Sequence, residues 1–281
     1  MMPSTNIRTR KIFNDFMHVI IVVLTIIALI PLVSILSYII YKGYRVINWD
    51  FITSLPTPAG DVGGGVGNSI LGTLILVGVA SVVGLPVGIM TAIYLNEYEP
   101  NGKFADIVRF VVDILLGIPS VVVGIFAYVA FVSPFGNFSA MSGGLALAII
   151  LIPIVVRSTE GVLKLVPNEY REGSYALGVS KWQTIIKIVI PTAMKGIVTG
   201  VMLAVARVAG ETAPLLLTAF GNQYWSSSLN QPMASLPAQI FEYAKSPYAD
   251  WIEKAWGAAL VLIIMVLFLN ISARILTRKK Y

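Results

Sequence analysis

The chain has 281 residues, of which 57% are hydrophobic and 12% are charged, and its mean hydropathy is +0.82. This small share of charge is too low to cover a water-soluble globule of the same size, so the composition predicts an integral membrane protein. The chain has no cysteine and a single histidine, His18, which excludes disulfides, Cys-ligated metals and His-rich metal sites. Its net charge of +6 comes from basic residues that flank apolar runs, so we expect no nucleic-acid binding.

Six apolar segments reach the roughly 20 residues that a membrane helix needs. They cover about 14–41, 68–95, 107–132, 143–162, 190–220 and 253–276. The first has a core much longer than the about 7–15 residues of a signal peptide, so we interpret it as an uncleaved anchor. The sequence therefore predicts one all-α domain over residues 1–281, with six transmembrane helices embedded in lipid.

The basic residues predict how these helices are oriented, because lysine and arginine accumulate in short cytoplasmic loops. With the N-terminus in the cytoplasm, fifteen basic residues fall inside, among them Lys279 and Lys280. Four fall outside: Lys42, Arg45, Lys245 and Lys254. We therefore predict a multi-pass protein of the cell membrane with both termini in the cytoplasm.

One polar stretch stands out between the fourth and fifth apolar segments. It reads Arg171-Glu172-Gly173-Ser174-Tyr175-Ala176-Leu177-Gly178 and leads to Ile188-Val189-Ile190-Pro191. A glutamate followed by two small residues, a glycine six positions after the glutamate, and a closing Ile-x-aliphatic-Pro resemble the cytoplasmic coupling loop of ABC importer permeases. That loop covers about 163–189 here. The usual Glu-Ala-Ala opening is Glu-Gly-Ser, and a glycine lowers helix propensity by roughly 1 kcal/mol relative to alanine.

This spacing predicts a short cytoplasmic helix from about Asn168 to Gly178, capped by Asn168 after Pro167. By the resemblance, the loop would dock on an ATPase subunit. The residues expected to serve this coupling are Arg171, Glu172, Gly173, Ser174, Ala176, Gly178 and Pro191.

No catalytic constellation is found in the sequence. An intramembrane enzyme would need an Asp pair, a Ser/His or Ser/Lys pair or a His-rich metal motif, and ATP hydrolysis would need a phosphate loop of the form G-x-x-x-x-G-K-S/T. We therefore expect no catalytic residue, metal or cofactor in this chain, and ATP bound by partner subunits. An ion channel, a further alternative, would need a filter loop and no motor-docking helix.

The fifth apolar segment carries two charges, Arg207 and Glu211, which lie four residues apart. On a continuous helix they would share one face and pair. An arginine near mid-membrane costs a few kcal/mol even on the lenient insertion scale, so it is usually paired or functional. Two interpretations stay open: a structural ion pair, or an arginine that faces a polar path and binds the oxygens of a phosphate or carboxylate.

The third apolar segment contains Gly117-Ile118-Pro119-Ser120, which predicts a kink with exposed polar backbone. Broken helices at this depth often line substrate sites, although neighbouring helices can also satisfy an ordinary proline kink. Arg109 and Asp113, one turn apart in the same segment, are predicted to pair with each other.

The second segment opens with Asn68 and Ser69, either of which is a plausible N-cap. A helix N-terminus attracts anions, although capping alone would explain both residues. The predicted substrate path thus comprises Gly117, Ser120, Arg207 and Glu211, with Asn68 and Ser69 at its outer end.

Several of these stretches together resemble the permeases of phosphate ABC transporters of the PstA type, over roughly residues 60–220. They are Gly67-Asn68-Ser69-Ile70, Gly84-Leu85-Pro86-Val87-Gly88, Tyr94-Leu95-Asn96-Glu97-Tyr98, Gly117-Ile118-Pro119-Ser120, Gly124-Ile125-Phe126-Ala127-Tyr128, the coupling loop, and Ala206-Arg207-Val208-Ala209-Gly210-Glu211-Thr212-Ala213-Pro214.

The resemblance implies a MetI-like ABC permease fold with alternating access, and inward transport of inorganic phosphate driven by ATP. It also implies a second, PstC-like permease subunit, two ATPase subunits and an extracytoplasmic phosphate-binding protein. A permease for another oxyanion, such as sulfate or molybdate, shares the coupling loop and stays an alternative.

Overall fold

The computed structural model describes residues 7–61 and 63–278, and all regular structure in these ranges is helical. Lys279 and Lys280, counted above as cytoplasmic charges, lie outside the described residues. The α-helices are α1 (Ile7–Gly43), α2 (Trp49–Thr53), α3 (Gly67–Ile93), α4 (Lys103–Gly117), α5 (Ser120–Ala127), α6 (Ser133–Phe135), α7 (Ala140–Leu163), α8 (Asn168–Ala176), α9 (Lys181–Thr184), α10 (Ile190–Ala209), α11 (Ala213–Thr218), α12 (Leu236–Ala244) and α13 (Ala249–Arg278). Single π-helical turns follow α3 (Tyr94–Tyr98), α5 (Tyr128–Val132) and α9 (Ile185–Val189).

Five helical runs in the described part of the chain are long and apolar enough to cross a membrane. They are α1, α3 with its π turn, α7, the run from α9 to α10, and α13. Four of the predicted segments, 14–41, 68–95, 143–162 and 253–276, lie within α1, α3 with its π turn, α7 and α13. The all-α fold class is therefore confirmed.

The third predicted segment, 107–132, is interrupted at the predicted kink, and it consists of two separate helices rather than one bent helix. Helices α4 and α5 are separated by Ile118 and Pro119 and form an angle of 106°. Ile118 has extended backbone angles (φ −72°, ψ 131°), because a proline ring disfavours the helical conformation of the preceding residue. The bent pair counts as a sixth span only if both of its helices form one broken crossing.

The fifth predicted segment, 190–220, is wrong at its C-terminal end. The helix that begins at Lys181 ends at Ala209, and Gly210 closes its last turn by donating its N–H to the Arg207 carbonyl at 3.1 Å. The chain resumes as the short helix α11, with Pro214 in its first turn. Arg207 therefore lies in the last turn of α10 and not in the middle of a longer helix.

The densest packing joins α3 to α7. A Cβ added to Gly84 would lie 3.0 Å from Leu151, and one added to Gly88 would lie 2.8 Å from Val155. These glycines let two backbones approach closely, as small residues do at membrane helix interfaces. Because the fit leaves no free space, α3 and α7 form one packed unit, against which α10 also packs.

Candidate functional site

A cavity of about 160 Å³ lies where the α4–α5 break, α7 and the end of α10 meet. Two stretches of sequence far apart in the chain thereby come together, the Pro119 break and the Arg207 turn. The residues around the cavity are Leu115, Leu116, Ile118, Pro119, Ser120, Val123, Ile149, Ile150, Pro153, Ile154, Arg207 and Glu211. Most of these residues are apolar, and Arg207, Glu211 and Ser120 supply the ionisable and hydroxyl groups.

Arg207 and Glu211 share this cavity, but the structural ion pair, one of the two open interpretations, is not formed between them in the described residues. The helix ends between the two residues, so the four-residue spacing no longer places them one above the other. Within residues 7–61 and 63–278, no side-chain hydrogen bond or ion pair is formed by Arg207, whose side chain is exposed. Its guanidinium donors are thus available to an anion, with the Ser120 hydroxyl and the Glu211 carboxylate around the same space.

The other predicted members of the substrate path lie elsewhere. Gly117 ends α4 and is exposed, outside the lining of the Arg207 cavity. At the far end of α3, Asn68 donates from Nδ2 to the Asn222 carbonyl at 2.7 Å, and Ser69 donates from Oγ to Gln239 Oε1 at 3.4 Å. Both side chains are buried and neither lines that cavity.

The capping prediction for Asn68 and Ser69 is also wrong. Helix α3 begins at Gly67 with Val66 at the N-cap, and no side chain caps it. Both residues therefore lie in the first turn, where their side chains reach the segment before α12 and α12 itself. Their observed role is to fasten one end of α3 to its neighbours.

The short helix predicted in the coupling loop is present as α8, but its predicted cap is wrong. Pro167 occupies the N-cap position without a side-chain bond, because the helix already begins at Asn168. Glu172, Gly173, Ala176 and Gly178 are exposed. Leu177, next to them, is 84% exposed, which leaves an apolar side chain uncovered in this subunit. An exposed surface of this kind on a polar loop is suited to docking a partner.

Arg171 differs from the exposed members of this loop, because its guanidinium points inward. It donates from Nη2 to Glu97 Oε1 at 2.6 Å and from Nε to Glu97 Oε2 at 3.1 Å. A further donor reaches the Val166 carbonyl at 2.8 Å. The hydrogen bond with Glu97 raises the pKa of Arg171, with burial opposing it. Glu97 is not among the residues predicted to serve coupling, although it lies in the Tyr94–Tyr98 stretch that carries the family resemblance.

Two further features of the loop position α8. The Ser174 and Thr184 hydroxyls lie 2.8 Å apart, and both side chains are buried, which ties α8 to α9. Pro191 is the second residue of α10, directly after the π turn and within the helical run from Lys181 to Ala209. The coupling loop is thus held in place by interior polar contacts while its outer face stays open.

A second polar centre surrounds Glu160, which is 1% exposed and is not among the residues predicted from sequence. Its carboxylate accepts from Arg109 Nε at 2.8 Å, and Lys164 Nζ and Arg157 Nη1 lie 2.9 Å and 3.5 Å from it. Asp113 instead accepts from Arg157 Nε at 2.8 Å. The predicted pair of Arg109 with Asp113 is therefore wrong, because Arg109 bonds Glu160 of α7 and Asp113 bonds Arg157 of α7.

Removing the Glu160 carboxylate is expected to destabilise the protein strongly. In Glu160→Ala, the basic groups around the site lose their central partner, and breaking a buried pair costs about 3–5 kcal/mol. Thermal unfolding in detergent measures the effect. Asp106→Asn is the matched control, because Asp106 bonds the same Arg109 at 3.1 Å but is 68% exposed, and exposed pairs contribute about 0–1 kcal/mol. Equal unfolding temperatures for the two variants would contradict the prediction.

Comparisons with known proteins agree with this architecture. Residues 84–280 match the family described as "Binding-protein-dependent transport system inner membrane component". The chain is 46% identical over 241 residues to the phosphate transport system permease protein PstA of Yersinia pestis, covering 86% of this chain and 82% of the relative. It is 40% identical over 280 residues to PstA of Pasteurella multocida, covering 99% of both chains.

Among solved structures, an inward-facing form of the MetNI methionine ABC transporter aligns with a TM-score of 0.61 and 20% identity, covering 76% of this chain and 94% of the other. At that identity the likeness shows the fold alone, which is that of an ABC transporter permease. The family match covers the Arg207 cavity and the whole coupling loop. The chain therefore belongs to the family of binding-protein-dependent transport system inner membrane components, whose members are transport subunits and not enzymes.

Proposed function

We propose that the chain is the membrane permease subunit of an ATP-driven ABC importer of inorganic phosphate. The observation that carries the proposal is Arg207, which has no carboxylate partner in the described part of the chain and lies with Ser120 on a small cavity. A guanidinium offers a planar set of donors that matches the oxygens of phosphate, and it stays charged at all physiological pH values. The PstA names of relatives at 46% and 40% identity support phosphate as the substrate.

Glu211 favours phosphate over the alternative oxyanions. Hydrogen phosphate keeps an O–H group near neutral pH, whereas sulfate and molybdate are fully deprotonated there. A carboxylate accepts a hydrogen bond from such a group but repels an anion that has none. With Arg207 and Glu211 on the same cavity, the site would bind phosphate weakly enough to release it and would disfavour sulfate.

The proposal includes partners, because the chain has no motif that hydrolyses ATP. ATP would be bound by two ATPase subunits, one of which would dock on the open face of α8, where Leu177 and Gly178 are exposed. A second, PstC-like permease subunit would complete the membrane pathway beside Arg207. An extracytoplasmic phosphate-binding protein would deliver the substrate, in keeping with the binding-protein dependence stated for the family.

The direct test is transport by the purified complex in proteoliposomes. We expect radiolabelled phosphate to be taken up only when ATP and the binding protein are both present, and an excess of sulfate or molybdate to leave this uptake unchanged. Competition by sulfate equal to that by unlabelled phosphate would assign the permease to another oxyanion. Phosphate flux without ATP would contradict an ABC importer and favour a channel.

The proposed orientation has its own test. With both termini in the cytoplasm, a reporter that is active only outside the cytoplasm should stay inactive when fused after Tyr281. The same reporter inserted near Asn230, in the exposed segment between α11 and α12, should be active. The opposite pattern would reverse the topology that the basic residues predict.

A further inference from the structure

Helix α8 is attached to two different parts of the subunit. The Ser174 and Thr184 hydroxyls join it to α9, which continues through a π turn into α10. Its second polar attachment is Arg171, whose bonds to Glu97 reach the C-terminal end of α3. A movement of α8 can therefore act on both α10 and α3.

The Glu97–Arg171 contact has the geometry of a rigid joint. Both carboxylate oxygens are engaged by two nitrogens of one guanidinium, at 2.6 Å and 3.1 Å, which fixes direction as well as distance. The side chains are 3% and 14% exposed, so water and salt screen the pair little. Arg171 also donates to the Val166 and Leu163 carbonyls at 2.8 Å and 3.3 Å, which adds the end of α7 to the joint.

From this joint, packed elements lead to the Arg207 cavity. Glu97 lies on the π turn that ends α3, and α3 is packed without free space against α7 at Gly84 and Gly88. The face of α7 that contributes Ile150 and Pro153 lines the cavity. Because closely packed helices move as units, a pull on Glu97 would shift a wall of the cavity.

We propose that the Glu97–Arg171 ion pair passes the movement of α8 to α3 and α7, so that both are positioning residues that couple ATP hydrolysis to opening of the Arg207 cavity. This inference rests on the proposed function, because it assumes that α8 docks on an ATPase. The proposal gives Glu97 a role in transport. It also means that Arg171 acts through contacts within this subunit and not by touching the ATPase.

The test uses the complete transporter in proteoliposomes and measures phosphate imported per ATP hydrolysed. Glu97→Gln and Arg171→Gln should still hydrolyse ATP in response to the binding protein, but import per ATP should fall about tenfold. The exchanged pair, Glu97→Arg with Arg171→Glu, should recover most of the ratio. Glu99→Gln is the matched control, because Glu99 lies just beyond the same turn and is exposed. Its carboxylate accepts a hydrogen bond from the Tyr94 hydroxyl at 3.1 Å and lies outside the joint.

A wild-type ratio of import to ATP hydrolysis in Glu97→Gln or Arg171→Gln would overturn the proposal. It would also be overturned if import and hydrolysis fell by the same factor and the exchanged pair did not restore them. If the single variants fail to assemble, Arg171→Lys provides the test, because lysine keeps the positive charge but lacks the two guanidinium nitrogens that bond both oxygens of Glu97. A reduced ratio in Arg171→Lys supports the joint, and a wild-type ratio excludes it. If the wild-type complex imports sulfate instead of phosphate, the proposed function fails, but the ratio measured with sulfate still tests the joint.

Discussion

Arg207→Lys is expected to assemble and to hydrolyse ATP, but to import phosphate far more slowly than the wild type. Lysine keeps the positive charge and replaces the planar fork by a single ammonium group. A lost hydrogen bond to a charged group costs about 1.5–3 kcal/mol, which corresponds to roughly tenfold to hundredfold in rate. Uptake of radiolabelled phosphate at matched ATPase activity measures the effect. Because Arg207 has no ion-pair partner in the described part of the chain, the substitution should leave the fold intact.

Two further variants separate substrate binding from a structural role of Arg207. Arg274→Lys is the matched control, because Arg274 is an exposed arginine on α13 outside the cavity, and its import should equal the wild type. The double variant Arg207→Gln with Glu211→Gln removes both charges and should also fail to import. Full import by Arg207→Lys or by the double variant would contradict substrate contact.

Helices α3 and α7 could be predicted from composition because each is a single apolar run with clear limits. The third and fifth segments could not, for different reasons. Pro119 indicates an interruption, but the 106° angle depends on packing, since Gly124 of α5 lies so close to α11 that an added Cβ would be 2.9 Å from Pro214. In the fifth segment the stop at Gly210 is followed by apolar α11, which hides it in a hydropathy average.

The candidate site divides in a similar way. Arg207 could be predicted because a charge within an apolar segment is costly, and Ser120 because it follows the break at Pro119. The structure places both on one cavity. The Glu97–Arg171 pair lies beyond such reasoning, because its members are 74 residues apart and only the tertiary fold brings them together. Local spacing also gave the wrong partner for Arg109. Its guanidinium bonds Glu160 on α7 and not Asp113, the predicted partner on its own helix.

Gly178→Trp is expected to insert in the membrane normally and to abolish most transport. Gly178 follows α8 with a φ of +76°, and the N–H groups of Gly178 and Val179 donate to the carbonyls of Tyr175 at 2.9 Å and Ser174 at 3.2 Å. This is the Schellman arrangement that ends a helix with a left-handed residue, where a side chain with a Cβ costs roughly 1–2 kcal/mol.

Backbone strain is only part of the expected loss of transport in Gly178→Trp, and the space around Gly178 shows the cause of the rest. Beyond its two chain neighbours, no atom of the described residues lies within 4 Å of a Cβ added there, so a side chain starts in open space and a tryptophan would obstruct the face proposed to receive the ATPase. Gly178→Asn separates strain from obstruction, because asparagine tolerates the left-handed conformation and is small. We expect Gly178→Asn to keep most phosphate uptake and ATPase binding, and Gly178→Trp to lose about nine tenths of both, a change of roughly 1.4 kcal/mol. Normal uptake by Gly178→Trp would show that this end of α8 does not face the motor.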